Sequence, residues 1–330
     1  MFLKQLKIDN ETFKAGGLDN LVEALPDAPP PLLNLLYGSG SPAGVYMLVD
    51  ASLRRQISGL FVLDSIELPA LCLFEGKAAE ESADFAPWLI DMSIPEPARA
   101  AGLAFHRKFF SQHWPAGTSL LIQTDAPFVA VQKHLRRFIK LPVQDDGGLR
   151  FFRFWDPRVL HPFLNAIAGD ASRMRRMMMT DSGVPLHYVL RHDETDIRLS
   201  PDAGKLADTP ITAMHLRFAD FDPIARERAA ERLKRIIDRI QADFARELEH
   251  RPRKAIEAAV EHAMQRFGAY GFREHAHLHF FAVWTVFYEP DFERRDPAGK
   301  LEEICRSSAP ETEKFKAFRD RFDRFSLKAA

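Results

Sequence analysis

Three histidines in alternate positions, His275, His277 and His279, form the cluster best suited to gathering a metal ion. On a strand, all three would project from one face. On a helix only His275 and His279 would share a face, and a third ligand would have to come from elsewhere. The residues that follow, Phe280-Phe281-Ala282-Val283-Trp284, read as one buried helix, which favours packing and local hydrogen bonding. A metal-dependent hydrolase built on these three side chains is the competing enzyme reading; the expectation is no metal, no cofactor and no catalytic set.

Other chemistries leave fainter traces. A nucleophilic triad needs a serine or cysteine on a strained turn, yet no GxSxG occurs, and Cys72 and Cys305 have neither glycine-rich nor histidine-rich neighbours. There is no Walker A sequence and no GxGxxG after a strand. The paired carboxylates Asp145-Asp146 precede Gly147-Gly148, a hairpin turn in which solvation accounts for them. The run Met177-Met178-Met179 is either an adaptable contact surface or core packing. Phe315, Phe318, Phe322 and Phe325 follow helical spacing and read as core, or else as a self-association face.

The most informative segment is Phe151-Phe152-Arg153-Phe154-Trp155-Asp156-Pro157-Arg158. It reads as an aromatic strand with Arg153 projecting between rings, followed by Asp156 as a helix N-cap and Pro157 at the first helical position. Arg158 falls in the first turn, where the helix dipole disfavours a cation, so it needs a carboxylate. Asp156 is one choice, and a partner across the lobe is the other. The corner is either structural or part of a partner-facing surface.

The elements that must position these residues fall into four stretches. Residues 1–44 carry Pro29-Pro30-Pro31 and Gly38-Ser39-Gly40-Ser41-Pro42 and read as a leader of extended or turning backbone. Residues 45–165 alternate short apolar runs, such as Val45-Tyr46-Met47-Leu48-Val49, with amphipathic helices. That alternation predicts an α/β lobe: a mixed, partly parallel sheet flanked by helices. Asp50 should cap a helix beginning near Ala51, and a further helix is expected from Glu96 to His113. Residues 166–222 form a bridge with one strand, Leu186 to Leu190, and polar loops from His192 to Pro210. From residue 223 the spacing of Leu233, Ile236, Ile237, Ile240 and Phe244 opens an all-α lobe that runs to 330.

Charge bounds the partners. With 45 basic and 46 acidic residues the net charge is −1, which supports neither nucleic-acid binding nor a membrane-surface protein. The longest apolar run, Phe280 to Tyr288, is far too short for a membrane insertion, and Met1 to Asn10 has no signal-peptide pattern. Two distant cysteines fit a reducing compartment, so a cytoplasmic location is expected. The chain also holds 27 phenylalanines, more rings than a core of ordinary composition needs, leaving some for a protein partner.

Taken together, "VYMLVDAS" ending its strand in Asp50, the helix "VAVQKHLRRFIKL" and the corner "FFRFWDPRVL" resemble the type VI secretion effector adaptor or chaperone family, Tap or TEC, long catalogued as a domain of unknown function. The residues that carry the resemblance are His134, Arg136, Arg137, Arg153, Asp156 and Arg158, supported by "APWLIDM" at Ala86 to Met92. It spans Val45 to Leu164; Tyr270-Gly271 before an apolar helix resembles the family's less constant C-terminal lobe. The resemblance implies a protein without catalytic residues. Its partners would be a cognate toxin effector, held by an N-terminal or PAAR-containing region, and the VgrG spike protein on which that effector is loaded.

Overall fold

The computed structural model describes residues 1–9, 11, 18–52, 68–95 and 102–326. They divide into two compact units, Met1–Ile224 and Ala225–Ala330. The first is a sheet flanked by helices; the second is helical.

The sheet of the first unit has seven strands: β1 (Leu3–Lys7), β2 (Gly44–Asp50), β3 (Ala70–Cys72), β4 (Pro87–Asp91), β5 (Ser119–Thr124), then β8 (His187–His192) and β9 (Thr195–Pro201). Their order across the sheet is β1-β9-β8-β5-β2-β4-β3. Strand β2 is buried along its whole length because its side chains alternate between two cores. Tyr46 and Leu48 enter one core with Leu120, Ile122, Tyr188 and Leu190. Val45, Met47 and Val49 enter the other with Ile90, Leu121 and Val189.

Every ladder of this sheet is antiparallel, which corrects the expected partly parallel sheet. The alternation of strands and helices does produce successive strands of the same direction. Strands β2 and β3 run alike, as do β4 and β5, but an opposed strand sits between the members of each pair. Strand β4 inserts between β2 and β3, and β2 separates β4 from β5. Periodicity reports a crossover and not which strand fills the gap.

Residues 1–44, expected as a leader, supply an edge strand and part of a core. Strand β1 pairs with β9 from Leu3↔Pro201 to Lys7↔Ile197. Helix α1 (Asp19–Ala24) is followed by α2 (Pro30–Tyr37), whose two prolines occupy its first turn, where no amide hydrogen is required. Leu32, Leu33, Leu35 and Leu36 of α2 are buried in the second core. The bridge expected over 166–222 holds the hairpin β8–β9, so Thr195–Pro201, within the stretch expected as loops from His192 to Pro210, is a strand. Its turn residues, Asp193 (φ 44°) and Glu194 (φ 62°), adopt the left-handed backbone of a tight hairpin without glycine.

Over the first core lie α5 (Phe128–Arg136), α6 (Pro157–Ala166) and α7 (Ala171–Met178), after the short helices α3 (Lys77–Glu81) and α4 (Ala104–Lys108). A π turn, Phe109–His113, continues α4 and buries Phe109 and Phe110. The start of the helix expected from Glu96, and the helix expected after Ala51, lie largely outside the described residues. Met177, Met178 and Met179 are buried in the first core, which decides their role as packing. The short helix α8 (Ala203–Leu206) follows β9.

The second unit contains α10 (Arg253–Ala269), α11 (His275–Tyr288), α12 (Lys300–Arg306), α13 (Glu311–Ser326) and most of α9 (Asp222–Asp243). Its core is aromatic: Phe267 stacks on Phe281 with centroids 3.8 Å apart, and Phe318 and Phe322 pack among them. Phe318 and Phe322 are 0% and 1% exposed, so this part of the phenylalanine stripe is core and not a self-association face. The side chain of Phe325 is outside the described set.

Candidate functional site: an aromatic corner and a basic groove

The site begins at Asp50, the last residue of β2, where its strand ends at the sheet's rim. Its carboxylate is buried and accepts four hydrogen bonds. Ser52 donates from its backbone nitrogen at 2.8 Å and from Oγ at 2.5 Å, both to Oδ1. Arg153 Nη2 donates at 2.5 Å and Trp155 Nε1 at 2.7 Å, both to Oδ2. Two oxygens with four donors are fully satisfied, which is the condition for holding a buried charge. Asp50 thereby fixes the corner from more than a hundred residues away in sequence, and the helix-capping role expected of it falls on residues outside the described set.

The corner itself is not one aromatic strand. Strand β7 (Leu149–Phe151) ends at Phe151, and the chain turns through Phe152, Arg153, Phe154 and Trp155 before α6. Phe152, Phe154 and Trp155 are buried, while Phe151 is 49% exposed and Arg153 points along the surface to Asp50. Asp156 caps α6 as expected, accepting from the Arg158 backbone nitrogen at 3.0 Å. The same carboxylate takes Arg158 Nε at 3.0 Å and Nη2 at 2.9 Å, so the pairing is local and offsets the unfavourable cation in the first turn.

The basic helix α5, with Arg137 as its C-cap, divides the motif residues His134 to Arg137 between inside and outside. His134 is buried against Phe138, with Nε2 3.5 Å from the Met177 carbonyl oxygen. Burial drives its pKa down to about 4, so the ring is neutral at physiological pH. Leu135 is core. Arg136 forms an ion pair with Glu75, and Gln132 donates to the Cys72 carbonyl oxygen at 3.1 Å, so two side chains tie α5 to the end of β3. Arg137 reaches Asp181 at 2.5 Å, where Arg176 also binds at 2.7 Å; hydrogen bonding from Arg137 leads the causes that hold the Asp181 carboxyl below its usual pKa.

Between these elements lies an open groove of about 680 Å³. One wall is Leu73, Phe74, Glu75 and Ala78; the other is Lys133, Arg136 and Arg137, with Ile139, Lys140 and Phe151 between them. The hairpin of β6 (Lys140–Pro142) and β7 (Leu149–Phe151) sets Lys140 opposite Phe151. Its turn passes through Gly147 at φ +68°, as the Asp-Asp-Gly-Gly sequence predicts. Phe151 meets Phe74 edge-on at 5.8 Å and Trp155 at 5.5 Å. A continuous chain of contacts thus runs from Asp50 through Trp155 and Phe151 to the groove. Of the motif residues, Arg136 and Arg137 reach the groove; His134, Asp156 and Arg158 support the elements around it.

The three histidines of the competing reading do not converge on one face. His275, His277 and His279 lie on a helix, and His277 faces away from the other two. Its Nδ1 lies 2.8 Å from Glu311 and its ring stacks on Phe315. His275 and His279 are parallel, with centroids 6.5 Å apart, and among the described residues no third ligating side chain joins them. The thiols are not activated: burial raises the pKa of both Cys72 and Cys305. His161 and His192, 31 residues apart, bring their ring centroids to 4.3 Å with tilted planes, a pairing that no local motif announces. Among the described residues, no helix is long and apolar enough to cross a membrane.

Residues 45–173 match the family model described as a domain of unknown function, DUF4123. The match begins at Val45 and includes Asp50, α5, the corner and α6, which together build and support the groove. No curated protein and no solved structure gives a significant match.

Proposed function

We propose that this protein is a non-catalytic adaptor of type VI secretion. It binds one toxin effector in the cytoplasm, through the effector's N-terminal or PAAR-containing region, and brings it to the VgrG spike. The observation that carries this reading is the coincidence of the matched segment, residues 45–173, with the corner and groove. The family is known as one of effector adaptors. In this reading Arg136 and Arg137 belong to the effector-binding surface. Arg153, Asp156, Arg158 and His134 hold that surface in place. An open groove with exposed aromatic edges suits a reversible protein contact, since cargo that must be handed on cannot be held by an obligate interface.

Deletion of the gene in its host tests this. Secretion of one effector should be lost while other effectors leave the cell normally, and that effector should lose solubility when expressed alone. Equal secretion and equal solubility of every effector without this protein would refute the assignment.

A further inference from the structure

We propose that the groove beside α5 takes a peptide segment of a protein partner in which carboxylates flank an aromatic or aliphatic side chain. The inference rests on the adaptor reading and specifies the chemistry its partner presents. Four cations, Lys133, Arg136, Arg137 and Lys140, line the groove against one anion, Glu75, on a chain whose net charge is −1. Arg136 and Arg137 are engaged with Glu75 and Asp181. Lys133 and Lys140 are exposed and have no carboxylate partner among the described residues. Among the described residues, they are the groove's cations left for a ligand.

The floor makes a second demand. Phe74, Ile139 and the half-exposed Phe151 line the groove, and Leu149, two residues before Phe151 on β7, is 67% exposed. A purely acidic segment would satisfy the lysines and leave these groups wet. An apolar residue between carboxylates satisfies both, with rim charges setting specificity and the apolar anchor supplying affinity. A nucleic acid would also bring anions and rings. However, the chain as a whole offers no basic field to draw in a polyanion, which favours a peptide.

The test uses the full chain and a short fluorescent peptide of aspartate and glutamate surrounding one phenylalanine and one leucine. Comparison ligands are the same peptide with lysines for its acids, one with serines for its apolar pair, and an oligothymidylate. The acidic–apolar peptide should bind most tightly, and K133E/K140E should weaken it by about tenfold or more at low salt, with thermal unfolding unchanged. Equal binding by the double variant, or tighter binding of the oligothymidylate, would overturn the proposal. A second arm measures capture of the effector whose secretion the gene deletion abolishes. Capture by the wild type and loss in K133E/K140E support the groove. Equal capture by both proteins rejects the groove and leaves the adaptor reading intact. If the wild type captures no effector, the adaptor reading fails, and the peptide arm alone decides the groove's chemistry.

Discussion

Asp50 is the residue on which the corner turns. Its buried carboxylate joins the end of a central strand to Arg153 and Trp155, and Trp155 in turn supports Phe151 at the groove. Asp50→Ala strands a buried indole N–H and releases Arg153, so it should cost about 3 kcal/mol in urea unfolding. A loss within a few tenths of a kcal/mol would show that the corner does not depend on this carboxylate. Histidine burial makes a separate prediction. Desolvation is the leading cause that lowers His134, His161 and His187 to about 4, below the usual 6.5. A depressed histidine pKa means that the folded state holds fewer protons than the unfolded one. Its contribution is therefore full above pH 6.5 and lost as pH falls towards 4. For the buried His134 this is on the order of 3 kcal/mol across the window. Urea midpoints should fall steadily between those pH values, and His134→Leu should flatten the slope; equal slopes in both proteins would contradict this account.

At the level of elements, some of the fold was legible in the sequence and some was not. The run Val45 to Val49 became β2, since a strand buried on two faces is apolar throughout. Strand β9 was missed because Thr195-Asp196-Ile197-Arg198-Leu199-Ser200 offers only two apolar residues and its turn lacks the glycine that usually marks a hairpin. Helix α2 was missed because three prolines suggest extended chain, although a first helical turn accepts them. The corner's residues were identified from their order, but the groove was not, because Phe74, Lys133 and Phe151 meet only in three dimensions. Strand β1 offers a direct test at this scale. Removing residues 1–8 bares the edge of β9, and edges of that kind recruit other chains. The truncated protein should unfold at lower urea and scatter more light than the full chain at the same concentration. Unchanged behaviour would mean that β1 adds nothing to the sheet.

Across the whole molecule charge is balanced, whereas the groove is lined by four cations and one anion. The helical unit carries its own aromatic core, and Asp296 is held down to about pKa 2 chiefly by its hydrogen bonds from Arg321. Residues 222–330 expressed alone should therefore give a helical circular dichroism spectrum with a cooperative melt; a disordered spectrum would contradict an independent core. The central claim is that the groove built by the corner and the basic helix is where a protein partner docks. Hydrogen exchange of the full chain, with and without the N-terminal region of the proposed effector, tests it most directly. The account predicts slowed exchange at residues 73–78, 133–140 and 149–151. Unchanged exchange there, with protection confined to residues 225–326, would contradict it.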